Sequence, residues 1–406
     1  MTRLNVSTYT AELAASLAVP DQVSDPDGHP QSLSRGAAGV ALLHIERAAA
    51  GLGDWTTAHS WLTIAASGLI TASPQANLLF GAPALAYVLH GAAAPGRYER
   101  ALAKLDAQIT GLTRQRLNQA NNRIDRGERP SLAELDLFKG LTGLGAHLLR
   151  RHPGSEVLAE VLAYLVRLTR PLGRDDLPGW WTHEAPSGRR ANRATGGHGN
   201  LSMAHGISGP LALLSLATVR GIVVDGQTDA IRRICDWTDT WRQAHPAGSW
   251  WPEVVTLEEA MTGQTRQPAP ARPSWCYGTP GHARAQQLAG IALGDIDRRR
   301  HAEHALQGCL ADPRQLDRIT GPGLCHGWAG LLHTSRRIAA TADTAALTDS
   351  VNNLTGRFPD LPSNLEPGFL SGAAGLALTL TSVATEQPIT SWDACLLLDP
   401  PYDQNG

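Results

Sequence analysis

In the stretch SEVLAEVLAYLVRLTR, residues 155–170, apolar side chains recur at three-to-four residue spacing with charged residues between them. That period puts Val157, Leu158, Val161, Leu162 and Leu165 on one stripe and predicts an amphipathic α-helix buried by one face. A second kind of segment is apolar almost all round. It begins with a glycine, repeats the glycine three residues later and continues through Ala, Gly and Leu. The copies are SRGAAGVALLHIERA (34–48), LFGAPALAYVLHG (79–91), FKGLTGLGAHLLRR (138–151), AHGISGPLALLSLA (204–217), CYGTPGHARAQQLAG (276–290), CHGWAGLLHTSRRIA (325–339) and LSGAAGLALTLTSVA (370–384). Among the seven copies only the second lacks its last glycine, which is Ala84.

The first glycines (36, 81, 140, 206, 278, 327, 372) lie 45 to 72 residues apart, enough for a helix pair with its loops. Each repeat therefore predicts an α-hairpin, in which an outer helix leads through the glycine turn into an inner helix. Glycine suits such a turn because it accepts positive φ and permits close backbone approach. The Ala, Gly and Leu content of the inner helices fits elements crowded around a common axis. Neither end shows a polar capping repeat, which favours a closed ring over an open solenoid. The predicted fold class is all-α, an α/α toroid of seven helical hairpin repeats with every turn at one end. The chain, residues 1–406, then reads as a single domain with repeats over roughly 30–385.

Composition narrows the function. Lys and Arg number 35 against 37 Asp and Glu, and no basic stripe occurs, so nucleic acid and anionic membrane are excluded as main partners. No stretch of eighteen apolar residues predicts membrane insertion, and the N-terminal MTRLNVSTYTAEL lacks an apolar signal region. Five cysteines (235, 276, 309, 325, 395) in so long a chain make no disulfide framework, which predicts a cytoplasmic protein with reduced thiols.

The repeat phase gathers the candidate chemistry. The residue before each first glycine is Arg35, Phe80, Lys139, His205, Tyr277, His326 or Ser371. One position earlier stand Ser34, Leu79, Phe138, Ala204, Cys276, Cys325 and Leu370. Cys276 and Cys325 therefore share one slot in adjacent repeats, with His326 beside the second and His205 in the preceding repeat. Two thiolates and an imidazole suit Zn²⁺, and three protein ligands leave one position open, the mark of a catalytic site. The competing reading makes both cysteines buried apolar residues. Cys235, Cys309 and Cys395 fall outside the turns and read as core or surface thiols. His198 in TGGHGNLSMAHG is out of phase and reads as loop. The stretches 173–200 and 248–273 carry paired Trp and are long for structureless loops, so they form either a lid over the active face or an irregular surface.

WCYG, CHGWAG and AHGISGP together resemble the lanthionine synthetase C family, the cyclases of lanthipeptide biosynthesis, through all seven repeats. The resemblance implies an α,α-toroid with one zinc held by Cys276, Cys325 and His326. It implies an acid/base role for His205 and functional roles for Asp136 in LDLFKGLTG, Arg272 in RPSWCYG and Tyr277. It implies a dehydrated lanthipeptide precursor as substrate and adds a cognate dehydratase as a candidate partner. The absence of a dehydratase or kinase-like extension resembles the stand-alone class I cyclases. The implied reaction is Michael addition of a peptide Cys thiol to dehydroalanine or dehydrobutyrine, in which His205 protonates the product enolate and Arg272 binds its oxygen. Asp136 would orient the histidine, and Tyr277 would hydrogen-bond near the metal. Plainer readings stand beside these: a helix-terminal charge for Asp136, a solvated surface arginine for Arg272, a packed ring for Tyr277 and a cap for His205. Three other functions compete. Intermolecular addition of glutathione or another thiol to dehydroamino acids would use the same residues. Zinc-dependent prenyl transfer would want an Asp-Cys-His ligand set. A non-catalytic scaffold would have no use for an open metal position.

Overall fold

The protein is described by a computed structural model over residues 6–20, 29–172, 177–184, 196–342, 344–355 and 365–400. Helices dominate. Inner helices start at each glycine turn: α2 (Ala37–Ala49), α4 (Ala82–Gly91), α7 (Leu141–Arg151), α9 (Ser208–Val219), α12 (Thr279–Leu293), α15 (Trp328–Ala339) and α17 (Ala373–Ala384). All seven begin within two residues of the glycine expected from the sequence. Outer helices are α1 (Val6–Ser16), α3 (Trp55–Ala65), α5 (Glu99–Asp125), α8 (Glu156–Leu168), α10 (Gln227–Thr240), α13 (Ile296–Ala311) and α16 (Ala345–Thr355). Short helices α6 (Leu132–Leu135), α11 (Leu257–Thr262) and α14 (Pro313–Leu316) lie between them. The predicted stripe of α8 is buried at Val157, Leu158, Val161, Leu162 and Leu165, whereas α9 is buried from Ser208 through Ala217. A helix apolar all round can be satisfied only by neighbours on every side.

The chain divides into two compact units. One comprises Met1–Leu112, Thr320–His333 and Val351–Cys395. In it α2 packs on α3, α4 and α17, and α1 packs on α17. The other comprises Thr113–Ile319, Thr334–Ser350 and Leu396–Gly406. Here α7 packs on α8 and α9, α9 on α10 and α12, and α12 on α13. The hairpins differ from expectation in one respect. Short loops such as 152–155 and 294–295 join each inner helix to the outer helix that follows it, while the glycine turn ends a longer connection. The first outer helix, α1, has no inner helix before it in sequence and packs on the last one, α17.

Close approach, more than backbone handedness, fixes the turn glycines. Only Gly81 and Gly278 take positive φ among the seven first glycines, whereas Gly36, Gly140 and Gly372 lie at −95°, −95° and −113°. A Cβ on the first glycine would run into backbone: the carbonyl oxygen six residues earlier at Gly206, Gly278, Gly327 and Gly372. A Cβ on the second would meet the carbonyl six residues before it at Gly39, Gly281, Gly330 and Gly375. Each turn thus lies flat against the start of its own inner helix.

Successive turns are stitched by backbone hydrogen bonds. The N–H three residues before a first glycine donates to the carbonyl two residues before the next one. The pairs are Leu33 to Leu79 (2.8 Å), Leu137 to Ala204 (3.0 Å), Met203 to Cys276 (3.0 Å) and Phe369 to Ser34 (2.9 Å). Cys325 N–H, two residues before its glycine, donates to Leu370 at 2.8 Å. The bond from Phe369 to Ser34 joins the last turn to the first.

Each unit holds its own share of the C-terminal residues. In the first, buried Glu46 accepts from the Ile389 and Thr390 N–H groups at 2.6 and 2.9 Å, Cys395 N–H donates to Tyr87 Oη at 2.9 Å, and His333 Nε2 pairs with buried Asp393 at 2.8 Å. In the second, Trp275 Nε1 donates to the Leu396 carbonyl at 3.0 Å and Arg284 to the Asp399 carbonyl at 2.9 Å. Cys235, Cys309 and Cys395 are all buried, and burial pushes the Cys235 thiol up to about 12.

The long Trp-rich stretches are ordered where described; 173–176 and 185–195 lie outside the described residues. Strand β1 (His198–Asn200) pairs antiparallel with β2 (Val254–Thr256), Asn200 opposite Val254. His198, expected in a loop, therefore lies on a strand, and three-residue strands are too short to show a period of two in sequence. Trp181, Trp241 and Trp251 pack with Leu201 and Val255 in one apolar cluster. The irregular-surface reading does not hold for these residues.

Two predictions follow the packing. Gly330→Ala places a methyl group against the Leu324 carbonyl oxygen and is expected to destabilise by on the order of 2 kcal/mol. Gly111→Ala, in α5 with nothing within 4 Å of the added carbon, is expected to be neutral or stabilising by up to about 1 kcal/mol. Thermal unfolding of both variants checks this, and equal effects would refute the close-approach argument.

The second concerns His282 and His198, whose burial lowers each imidazole from 6.5 to about 4. Each ring stays neutral in the folded protein down to about pH 4 but takes a proton near 6.5 once unfolded. The unfolded state therefore binds more protons as pH falls, so stability declines from about pH 6.5 and levels off below about 4. The loss is up to roughly 3 kcal/mol per ring. Urea midpoints should drop between pH 7 and pH 5, and His282→Gln should flatten the slope; an unchanged slope in that variant would contradict a buried neutral His282.

Candidate functional site

Four of the seven glycine turns open with a side-chain cap four residues before the first glycine. Ser32 Oγ accepts from Arg35 N–H (3.2 Å), Asp136 Oδ1 from Lys139 N–H (2.6 Å), Ser202 Oγ from His205 N–H (3.0 Å) and Ser274 Oγ from Tyr277 N–H (3.3 Å). In these four the donor is the residue before the glycine. The cap closes a short turn as an N-cap residue does and fixes the direction in which that donor's side chain leaves the backbone.

Asp136 differs from the serines in having a second oxygen. Its Oδ1 also accepts from Gly140 N–H at 2.9 Å, while Oδ2 lies 2.7 Å from His205 Nδ1. Asp136 is buried and the His205 side chain is 31% exposed, so the carboxylate is fixed in the wall with one imidazole edge toward solvent. A carboxylate accepts only, so Nδ1 carries the proton and Nε2 is the nitrogen left for chemistry. The Phe138 ring meets the imidazole edge-on at 5.1 Å and rests on Trp275 at 5.7 Å. One oxygen of Asp136 thus sits at the helix end and the other on the imidazole.

Tyr277 lies with its ring 6.3 Å from that of His205, and its Oη accepts from Asn200 Nδ2 at 3.0 Å. Burial raises the phenol above its ordinary value. Arg272 is only partly exposed, and its Nε is buried without a hydrogen-bond partner. That placement removes the solvated-surface reading. Glu253 is half-buried; burial raises its carboxyl, the nearby Cys276 raises it further, and Arg272 and Arg318 oppose the shift.

Cys276, Cys325 and His326 each offer one ligand atom, and these atoms all lie within 4.8 Å of one another. Cys276 is buried, Cys325 half-buried and His326 exposed. Ser274 Oγ stands 3.7 Å from Cys276 Sγ. Two sulfurs and one imidazole form a donor set suited to zinc, short of the four ligands of a closed structural site.

Sequence reasoning did not single out Asn200, Ser202, Ser274 or Glu253. For three of these the phase carried a signal. Asn200 stands six residues before Gly206, as Arg272 stands six before Gly278, while Ser202 and Ser274 share the slot of Asp136. Glu253 lies outside the repeat and only the paired strands bring it in: Leu201 N–H donates to its carbonyl at 3.0 Å.

Residues 28–397 match the family of lanthionine synthetase C-like proteins. The nisin biosynthesis protein NisC of Lactococcus lactis subsp. lactis is 23% identical over 354 residues, covering 84% of this chain and 80% of NisC. Among solved structures, a nisin cyclase superposes with a TM-score of 0.76 at 20% identity, covering 97% of this chain and 96% of its own. The second likeness shows the fold and bears out the all-α toroid. No helix among the described residues is long and apolar enough to cross a membrane. With the family match running through nearly the whole chain, the protein belongs to the lanthionine synthetase C-like family.

Proposed function

We propose that the protein is a zinc-dependent lanthipeptide cyclase that adds peptide Cys thiols intramolecularly to dehydroalanine or dehydrobutyrine, forming thioether rings. Family membership supports the reaction class, and the single observation that carries the reading is the convergence of Cys276, Cys325 and His326. Zinc held by these three residues would favour the thiolate form of a substrate cysteine. The remaining chemistry belongs to the chain. As the sulfur attacks the β-carbon, a C–S bond forms and the C=C electron pair moves onto the α-carbon and its carbonyl. Arg272 binds the carbonyl oxygen as it gains charge. His205 delivers a proton from Nε2 to the α-carbon, and Asp136 steadies the imidazolium through Nδ1. Neutral His205 then takes up the proton released by the next thiol, so the cycle has no leaving group and consumes no reductant or oxidant. The substrate is a dehydrated precursor peptide, and the dehydratase that prepares it is the expected partner in a reduced, cytoplasmic setting.

Purified protein is expected to carry about one zinc per chain. Cys325→Ala should lose most of the metal and all measurable cyclisation while keeping its helical circular dichroism. Elemental analysis decides, and full zinc occupancy in that variant would refute the ligand assignment.

His205→Asn is expected to keep zinc and to lose roughly 10²–10⁴-fold in ring formation, the usual contribution of a general acid/base group. Without the proton donor the enolate expels the thiolate and returns to starting peptide. Thiol alkylation read by mass spectrometry should then find free thiols and dehydro residues side by side. Zinc loss would make His205 a ligand, and wild-type rates would make it structural. Addition of an external thiol by the wild-type protein, without ring closure, would turn the reading to intermolecular addition.

A further inference from the structure

Two positions after the first glycine, the third and fourth repeats carry Thr142 and Ser208, where the other five have Ala38, Pro83, Pro280, Ala329 and Ala374. Both side chains are fully buried, and both hydroxyls donate to the carbonyl five residues before the glycine, Thr142 to Leu135 and Ser208 to Leu201. In the sixth and seventh repeats that carbonyl accepts from the main chain instead, from Ala329 N–H at 3.0 Å and Ala374 N–H at 3.2 Å. A hydroxyl has thus taken the place of a backbone clamp in two turns. These are the turns that supply Asp136 and His205, which meet at 2.7 Å. Leu135 and Leu201 each precede the cap residue, so the clamped carbonyl fixes the peptide plane from which Asp136 or Ser202 projects. Asp136 meets the His205 ring directly, and Ser202 caps the His205 N–H.

The Ser208 hydroxyl is itself locked. A carbonyl can only accept, so the Ser208 proton goes to Leu201 and its oxygen accepts from His282 Nδ1–H at 2.8 Å. Arg298 can only donate, and its contact with Gln286 Oε1 at 2.6 Å settles which end of that amide is nitrogen. Gln286 Nε2 then donates to Thr238 Oγ1 at 2.8 Å and faces His282 Nε2, the acceptor nitrogen, at 3.3 Å. Every proton behind the His205 turn therefore has one direction.

We infer that Thr142 and Ser208 are positioning residues for proton delivery, a pair of hydroxyl clamps that aim Asp136 and His205 at one another. The inference rests on the cyclase reading for the proton that His205 moves. A carboxylate and an imidazole from separate turns must be held to within about 0.5 Å for such a transfer, and each clamp removes a freedom from one of the two turns.

Thr142→Val removes the hydroxyl and keeps the shape of the side chain. Initial rates on a dehydrated peptide are expected to show kcat lowered about 10-fold, with KM and zinc content unchanged, as for misalignment of a group that acts in the transition state. Ser208→Ala should behave alike, whereas Thr142→Ser keeps the hydroxyl and should recover most of the rate. Thr379→Val is the control for buried-hydroxyl loss as such. Thr379 is as buried as Thr142, and its hydroxyl donates to the Gly375 carbonyl at 3.1 Å inside α17, away from both turns. That variant should keep wild-type kcat. A readout independent of turnover is the ¹H resonance of His205 Nδ1–H, which the bond to Asp136 carries downfield and which His205→Asn identifies by its loss. Thr142→Val should shift it and Thr379→Val should not. Wild-type kcat in Thr142→Val, an equal loss in Thr379→Val, or no recovery in Thr142→Ser would each overturn the inference. If wild-type protein forms no rings at all, the functional reading fails separately; a shifted resonance in Thr142→Val would still support the clamp, and an unmoved one would sink it.

Discussion

The backbone bond from one glycine turn to the next is the constraint on which the rest depends. It requires the N–H three residues before the glycine and the neighbouring carbonyl two residues before its own glycine to meet at about 2.8–3.0 Å, as Met203 and Cys276 do. That spacing is possible only if the turn lies flat on its helix, which excludes a Cβ at either glycine. Backbone therefore holds the turns together, and the side chains at these positions are left out of the structural work. Leu, Met, Trp and Phe at the position three before the glycine (Leu137, Met203, Trp275, Phe369) sink beneath the turn and are fully buried. The site rests on this apolar floor, with Phe138 linking Trp275 to His205.

Asp136 shows how one slot gains a further contact without a change of fold. Serine caps the equivalent turns at Ser32, Ser202 and Ser274 with its single oxygen. A carboxylate in the same place makes the same cap and has an oxygen to spare, which meets His205 at 2.7 Å. Two N–H donors on Oδ1 fix the group, so Oδ2 is aimed without needing a partner of its own. Such preorganisation lowers the reorganisation needed when charge moves in the site.

The architecture was legible because it repeats. Seven first glycines set seven inner helices, and the register of Cys276 with Cys325 anticipated their convergence despite 49 residues of separation. Legibility failed where the repeat is interrupted. The strands His198–Asn200 and Val254–Thr256 are too short for periodicity, and their pairing spans more than fifty residues of chain. Glu253 was invisible for that reason, as was the strand position of His198. The positive φ expected of turn glycines was a sound rule applied too widely, since collision with a carbonyl forbids a side chain at Gly330 or Gly375 whatever the backbone angle.

Because backbone, glycine and the caps behind it hold the turns, the residue before each glycine is free to vary at little structural cost. It is Arg35, Phe80, Lys139, His205, Tyr277, His326 and Ser371 around the seven repeats. Three adjacent repeats, the fourth to the sixth, carry His, Tyr and His there, and two of these carry Cys one position earlier. The other four repeats keep the turn and none of this chemistry. A ring of equivalent, structurally undemanding positions lets reactive groups from distant parts of the chain be placed side by side by choosing adjacent repeats. His205 and Tyr277 also carry an aim set by the serine cap behind each, so their orientation comes from the scaffold and only the identity of the side chain remains to be specified.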